Sequence, residues 1–129
     1  MPSSKFAFMK KILLSALFII PLVVSAQFEQ GLKAGNSDEV SKYLANIVKV
    51  NWMGEESNMS SLNLTNSFKT FFETCDGAQL RIIHKGESDA GMHYSMAELS
   101  CAEKNYDLTY YYTSQNGFEV VEEFSIEEK

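Results

Sequence analysis

The sequence predicts an α+β fold: three N-terminal helices packed on a curved, mostly antiparallel sheet, in the order α-α-β-α-β-β-β-β. Apolar residues recur at helical spacing through the first half of the chain that follows residue 26. They alternate with polar residues through its second half, and polar turns bearing glycine or asparagine divide the alternating runs.

Phe28 and Leu32 stand four residues apart before Gly35-Asn36 ends the first helical pattern. Asn36 or Ser37 opens a second helix, with Glu39 placed as in a capping box and Val40, Tyr43, Leu44 and Ile47 as its apolar stripe. Val48, Val50 and Trp52 alternate with Lys49 and Asn51, the period of a half-buried strand, and residues 54–61 form a polar loop. Leu64, Phe68, Phe71 and Phe72 then give a third helix a bulky aromatic face, with Thr65 or Asn66 as its cap. Four strands follow at residues 78–85, 92–100, 106–114 and 118–126, the last two joined by the three-residue loop Gln115-Asn116-Gly117.

The start of the chain has a different character. Lys5, Lys10 and Lys11 precede an apolar run over residues 12–24, and Val24-Ser25-Ala26 puts small residues where a signal peptidase needs them. This is the pattern of a cleavable signal peptide over residues 1–26, with cleavage after Ala26 and export to a periplasm or the exterior. The apolar run is too short for a membrane helix, which takes about 20 residues. From Gln27 onward 103 residues remain, enough for one domain.

Those residues carry 8 basic and 17 acidic side chains, a sharper excess than the −6 of the whole chain. Such a surface repels phosphate backbones and anionic membranes, so nucleic acid is excluded as a partner class. Glu119, Glu122, Glu123, Glu127 and Glu128 read as a solvated acidic edge.

Alternation also predicts which side chains share a face. With Ser114 opposite Phe118, Tyr112 faces Val120, Tyr110 faces Glu122 and Leu108 faces Phe124; pairing Ser100 with Tyr106 sets Met96 against Tyr110 and Tyr94 against Tyr112. Setting Leu80 opposite Met96 continues the same face and brings Cys75 opposite Cys101, within disulfide range. In an exported chain those two cysteines are expected to be bridged. The helix-covered face then reads Leu80, Ile82, His84, Met92, Tyr94, Met96, Glu98, Leu108, Tyr110, Tyr112, Val120, Glu122, Phe124 and Ile126.

Three stretches carry a family resemblance: Phe28-x-x-Gly31-Leu32-x-x-Gly35-Asn36, the pair Phe71-Phe72, and His84-x-Gly86-x-Ser88 before a strand bearing Tyr94. In their order and spacing the chain resembles an uncharacterised family of exported bacterial domains, domain of unknown function 4783. Its fold is similar to the cone of the nuclear transport factor 2 (NTF2) and cystatin-like group. The resemblance covers residues 27–127, departs at Met96-Ala97-Glu98 where a glycine is expected, and implies fold and export but no reaction.

His84, Tyr94, Glu98, Tyr110, Tyr112 and Glu122 are the polar exceptions on the predicted inner face and form the candidate pocket. His84 and His93 fall on opposite faces and no third ligand stands nearby, so neither a metal nor another cofactor is expected. The favoured function is a non-enzymatic exported module that binds a small apolar ligand or a protein partner. The alternative is a cone-type isomerase or dehydratase using Glu122 as a buried base, with His84 and the tyrosines.

Overall fold

Phe28 and Leu32 form the fully buried stripe of α1 (Gln27–Ala34) in the computed structural model, which describes residues 27–75 and 78–129. The expected signal peptide lies outside the described residues. Gly35, with φ of +61°, ends α1, so that its own amide and that of Asn36 return to the carbonyls of Leu32 and Gly31. Gly31 is required by contact: a β-carbon there would stand 2.9 Å from Cγ2 of Val40.

Asn36 caps α2 (Ser37–Ser41), accepting from the amides of Asp38 and Glu39 at 3.1 and 3.2 Å. This helix is shorter than expected. Val40 is buried as predicted, but the chain is strand from Leu44, and Ile47 is 61% exposed. The β-branched run Ile47-Val48 with Val50 favours extended backbone, and the Tyr43 carbonyl is already drawn to the sheet by the amide of Val121 at 2.6 Å.

β1 (Leu44–Trp52) turns through Met53 and Gly54, both at positive φ, into β2 (Glu55–Ser60), with Trp52 opposite Glu55. The expected polar loop is thus an edge strand. Its mostly exposed residues have no buried face to mark with alternation. The observed order is α-α-β-β-α-β-β-β-β, so the helices are not all N-terminal. Ser60 caps α3 (Ser61–Thr74) by accepting from the Asn63 amide; the expected cap Thr65 lies inside the helix and donates to the Ser61 carbonyl.

β3 (Gln79–Glu87), β4 (His93–Cys101), β5 (Lys104–Gln115) and β6 (Phe118–Glu128) complete a six-stranded sheet ordered β2-β1-β6-β5-β4-β3. β1 and β6 run parallel, and the other neighbours are antiparallel. Phe28 packs edge-on to Tyr110 at 4.7 Å and lies within 6.4 Å of the rings of Phe68 and Phe124, and Trp52 packs on Phe68 and Phe71. These contacts fill the space between helices and sheet.

The strand registers depart from expectation in a way that moves side chains between faces. Ala102 and Glu103 make a two-residue turn with Cys101 opposite Lys104, one residue from the predicted pairing. A one-residue slip inverts a strand. Ser95, Ala97, Leu99 and Cys101 therefore face the helices and are buried, whereas Tyr94, Met96 and Glu98 point outward. In β3 the irregularity between Ile82 and His84 keeps Leu80 and Ile82 inward but turns His84 outward, opposite Met96.

Asn116 and Gly117, both at positive φ, likewise make a two-residue turn that pairs Gln115 with Phe118. A bulge after Tyr111 leaves Glu122 unpaired and brings Tyr110 opposite Phe124 and Leu108 opposite Ile126. Tyr110, Leu108, Phe124 and Ile126 thus stay inward as expected. Val120 and Glu122 do not: the buried positions are Glu119 and Val121.

Cys75 and Cys101 are bridged, with Cα atoms 4.8 Å apart. The route differs from the expected strand pairing, because Cys75 is the C-cap of α3 and β3 begins only at Gln79. The bridge ties a helix end to the sheet.

Candidate functional site

The six predicted pocket residues are divided among four places. On the outer face, where β3 and β4 pair, His84 Nε2 lies 3.1 Å from the Tyr94 hydroxyl, and the Tyr94 ring lies 5.7 Å from that of Tyr111. Gly86 makes this possible: a β-carbon there would meet the Tyr94 hydroxyl at 2.7 Å. The spacing His84-x-Gly86 before Tyr94 therefore has a steric meaning. Met96, 43% exposed and opposite both His84 and Thr109, extends the patch.

Beside this patch a recess of about 100 Å³ opens where β1, β6 and β5 meet, lined by Lys49, Asn51, Thr109, Tyr111, Glu123 and Ser125 among others. Tyr111 borders both features. Sequence reasoning missed it because the predicted register gave Tyr110 and Tyr112 the notice. Alternation along Tyr110-Tyr111-Tyr112 is itself the signal that one tyrosine must point the other way.

Glu98 stands on the outer face near the strand edge, held by Lys129 at 2.6 Å and Arg81 at 3.5 Å. Its hydrogen bond to the Lys129 ammonium, with Arg81 adding to it, keeps the carboxyl below the usual carboxylate range. This is a surface clasp on the C-terminal residue.

On the inner face, Tyr110 is part of the core under Phe28, and burial pushes its hydroxyl far above the ordinary tyrosine value. Tyr112 lies two residues further along β5, half-buried, raised for the same reason and stacked on His93. His84 and His93 do sit on opposite faces, although with the faces exchanged relative to expectation.

Four residues absent from the predicted set complete this end of the inner face. Glu29 of α1 is buried and lies 3.1 Å from Lys85 of β3 and 3.4 Å from Lys33. Glu119 of β6 is only 6% exposed; its Oε1 accepts from the backbone amides of Gln27 at 2.5 Å and Phe28 at 3.4 Å. Burial raises the Glu119 carboxyl above its ordinary value, and the two amide donors oppose that rise. In sequence Glu119 is the first member of an acidic run, and nothing local marks it as buried.

Glu122, unpaired at the bulge, is not among the buried inner-face positions with Tyr110, and His84 lies on the outer face, so the trio proposed for an enzymatic base, donor and histidine is not assembled. What the inner face offers is a packed core ending in a small charged cluster. The outer face offers half-buried tyrosines and an exposed thioether around a shallow recess.

The same fold occurs in solved structures. A DUF4783 family protein from Bacteroides ovatus superposes with a TM-score of 0.72 at 19% identity, over 81% of this chain and 94% of that one. An NTF2-like protein of unknown function from Cytophaga hutchinsonii gives 0.58 at 11% identity, covering 84% and 89%. An uncharacterised cystatin-fold protein from Novosphingobium aromaticivorans gives 0.60 at 9% identity, covering 82% and 96%. No curated protein matches the sequence. The model of the domain of unknown function DUF4783 matches residues 25–127, and the chain belongs to that family.

Proposed function

We propose that the domain is an exported, non-enzymatic binding module that engages a protein partner through the open face of its sheet. The observation that supports this is the contrast between the two faces. The helices place Phe28, Phe68 and Phe71 against inner-face rings, whereas among the described residues the outer face keeps Met96, Tyr94 and Tyr111 uncovered by any helix. Tyrosine and methionine are the side chains that protein interfaces favour. On this open face a small apolar ligand is the poorer fit, because sites for such ligands run to about 300–1,000 Å³ and the recess there holds about 100 Å³.

The test is photo-crosslinking in the exporting cell, with benzoylphenylalanine in place of Tyr111 or, on α3, of the 68% exposed Leu62. A discrete adduct from position 111 and none from position 62 is expected. Adducts from position 62 alone would refute the open-face assignment.

A further inference from the structure

Glu119 poses a problem that the proposed function leaves unanswered. It is a buried carboxylate with no Lys or Arg paired to it among the described residues: Lys85, the nearest candidate, is engaged with Glu29. Its closest neighbour is a backbone nitrogen, that of Gln27. Isolated buried carboxylates are costly unless a positive charge or several donors meet them.

The sequence supplies a charge at that atom. Val24-Ser25-Ala26 places the cleavage bond between Ala26 and Gln27, so the nitrogen that touches Glu119 is the one that cleavage would free. These two readings are independent, one from small residues behind an apolar run, the other from a hydrogen bond spanning 92 positions.

We propose that Glu119 is the built-in receptor for the amino terminus created by removal of the leader, forming a buried ion pair with the Gln27 α-ammonium that locks α1 into the core. The proposal rests on the export reading. Hydrolysis of the Ala26–Gln27 bond consumes one water and leaves a carboxylate on Ala26 and an ammonium on Gln27; no other bond changes. The precursor, with a neutral amide at that nitrogen, gives the carboxylate a hydrogen bond but no opposite charge, and so a weaker hold on Phe28 in the next position.

The surroundings suit the pair. Lys33 and Lys85 offset Glu29, and Tyr110 and Tyr112 are neutral, so Glu119 is the carboxylate left for the ammonium. The pair also bears on a competing reaction. A free N-terminal glutamine cyclises when its neutral α-nitrogen attacks the side-chain amide and expels ammonia, and a protonated nitrogen held by Glu119 has no lone pair for that attack.

The test uses the full-length precursor, exported and processed in a bacterial host, with and without Gly-Ser inserted between Ala26 and Gln27, each in the native and Glu119→Gln backgrounds. The intact mass of the uninserted protein is expected to begin at Gln27 without loss of ammonia. At pH 6 the insertion is expected to raise the unfolding equilibrium constant about tenfold, the difference between an ammonium and a neutral amide as the donor to the carboxylate. In Glu119→Gln it is expected to change that constant by less than about twofold, on the same reasoning.

Should Glu119→Gln not fold, the native protein alone decides: its α-amine is expected to react with an amine acylating reagent at least about tenfold more slowly when folded than in urea, as protection by local structure requires. A mass that starts elsewhere overturns the proposal through the cleavage reading, and one that starts at Gln27 but lacks ammonia overturns it at Glu119. Equal effects of the insertion in both backgrounds, or equal acylation folded and unfolded, overturn it at Glu119.

Discussion

Phe28→Ala is expected to lower the unfolding free energy by about 4 kcal/mol, within the range for removing a buried phenylalanine. The ring is fully buried and touches Tyr110, Phe68 and Phe124, which belong to β5, α3 and β6, so no single neighbour can collapse into the space it leaves. Domains of this size have roughly 5–15 kcal/mol in all, and the variant would therefore sit near the threshold of folding. Urea unfolding followed by tryptophan fluorescence reads this directly, because Trp52 lies 5.6 Å from Phe68 in the same cluster. A midpoint close to that of the native protein would mean that Phe28 does not fill the space between helices and sheet.

Removing the bridge with Cys75→Ala and Cys101→Ala together is expected to cost about 3 kcal/mol, the loop-closure entropy for a bridge of this span. The two cysteines are 26 positions apart and join the C-cap of α3 to the last residue of β4. Without the bridge, the α3 end holding Phe71 and Phe72 is fastened to the sheet by packing alone, including the Phe71 contact with Tyr106 at 5.0 Å. Hydrogen exchange is expected to speed up first in the last turn of α3 and at the end of β4. Uniform acceleration across the sheet would show instead that the bridge acts only on global stability.

The helices and the sheet were legible because burial leaves a periodic mark. Leu64 and Phe68 are buried as their spacing requires, and Val48 and Val50 are buried in alternation. β2 was not legible, since a mostly exposed edge strand has no buried face to record. Faces were harder than strands. Asn116-Gly117 alone signals a two-residue turn, and counting Gln115 into the loop displaces the pairing by one. The turn at Ala102-Glu103 has no glycine to announce the positive φ at Ala102. Bulges at Ile83 and Glu122 then shift the registers again, and no residue type encodes them.

For the candidate site the effect was selective. Tyr110 and Tyr112 kept their predicted face because the extra residue at the Tyr111–Tyr112 irregularity is Glu122 of β6, so β5 keeps its own alternation. His84, Tyr94 and Glu98 went to the other side of the sheet, and Glu122 yielded its place to Glu119. The predicted pocket thus became two features: an exposed patch on one face and a charged cluster beside the start of α1 on the other.

The open-face assignment is tested most directly by hydroxyl-radical oxidation of methionine, carried out on the protein in the exporting cell and after purification. Met96 and Met53 are matched probes, at 43% and 41% exposure, one in the outer-face patch and the other at the β1–β2 turn. If a partner covers the open face, Met96 is oxidised more slowly in the cell than after purification while Met53 is unchanged. Equal oxidation of Met96 in both settings, with Met53 the slowed residue, would contradict it.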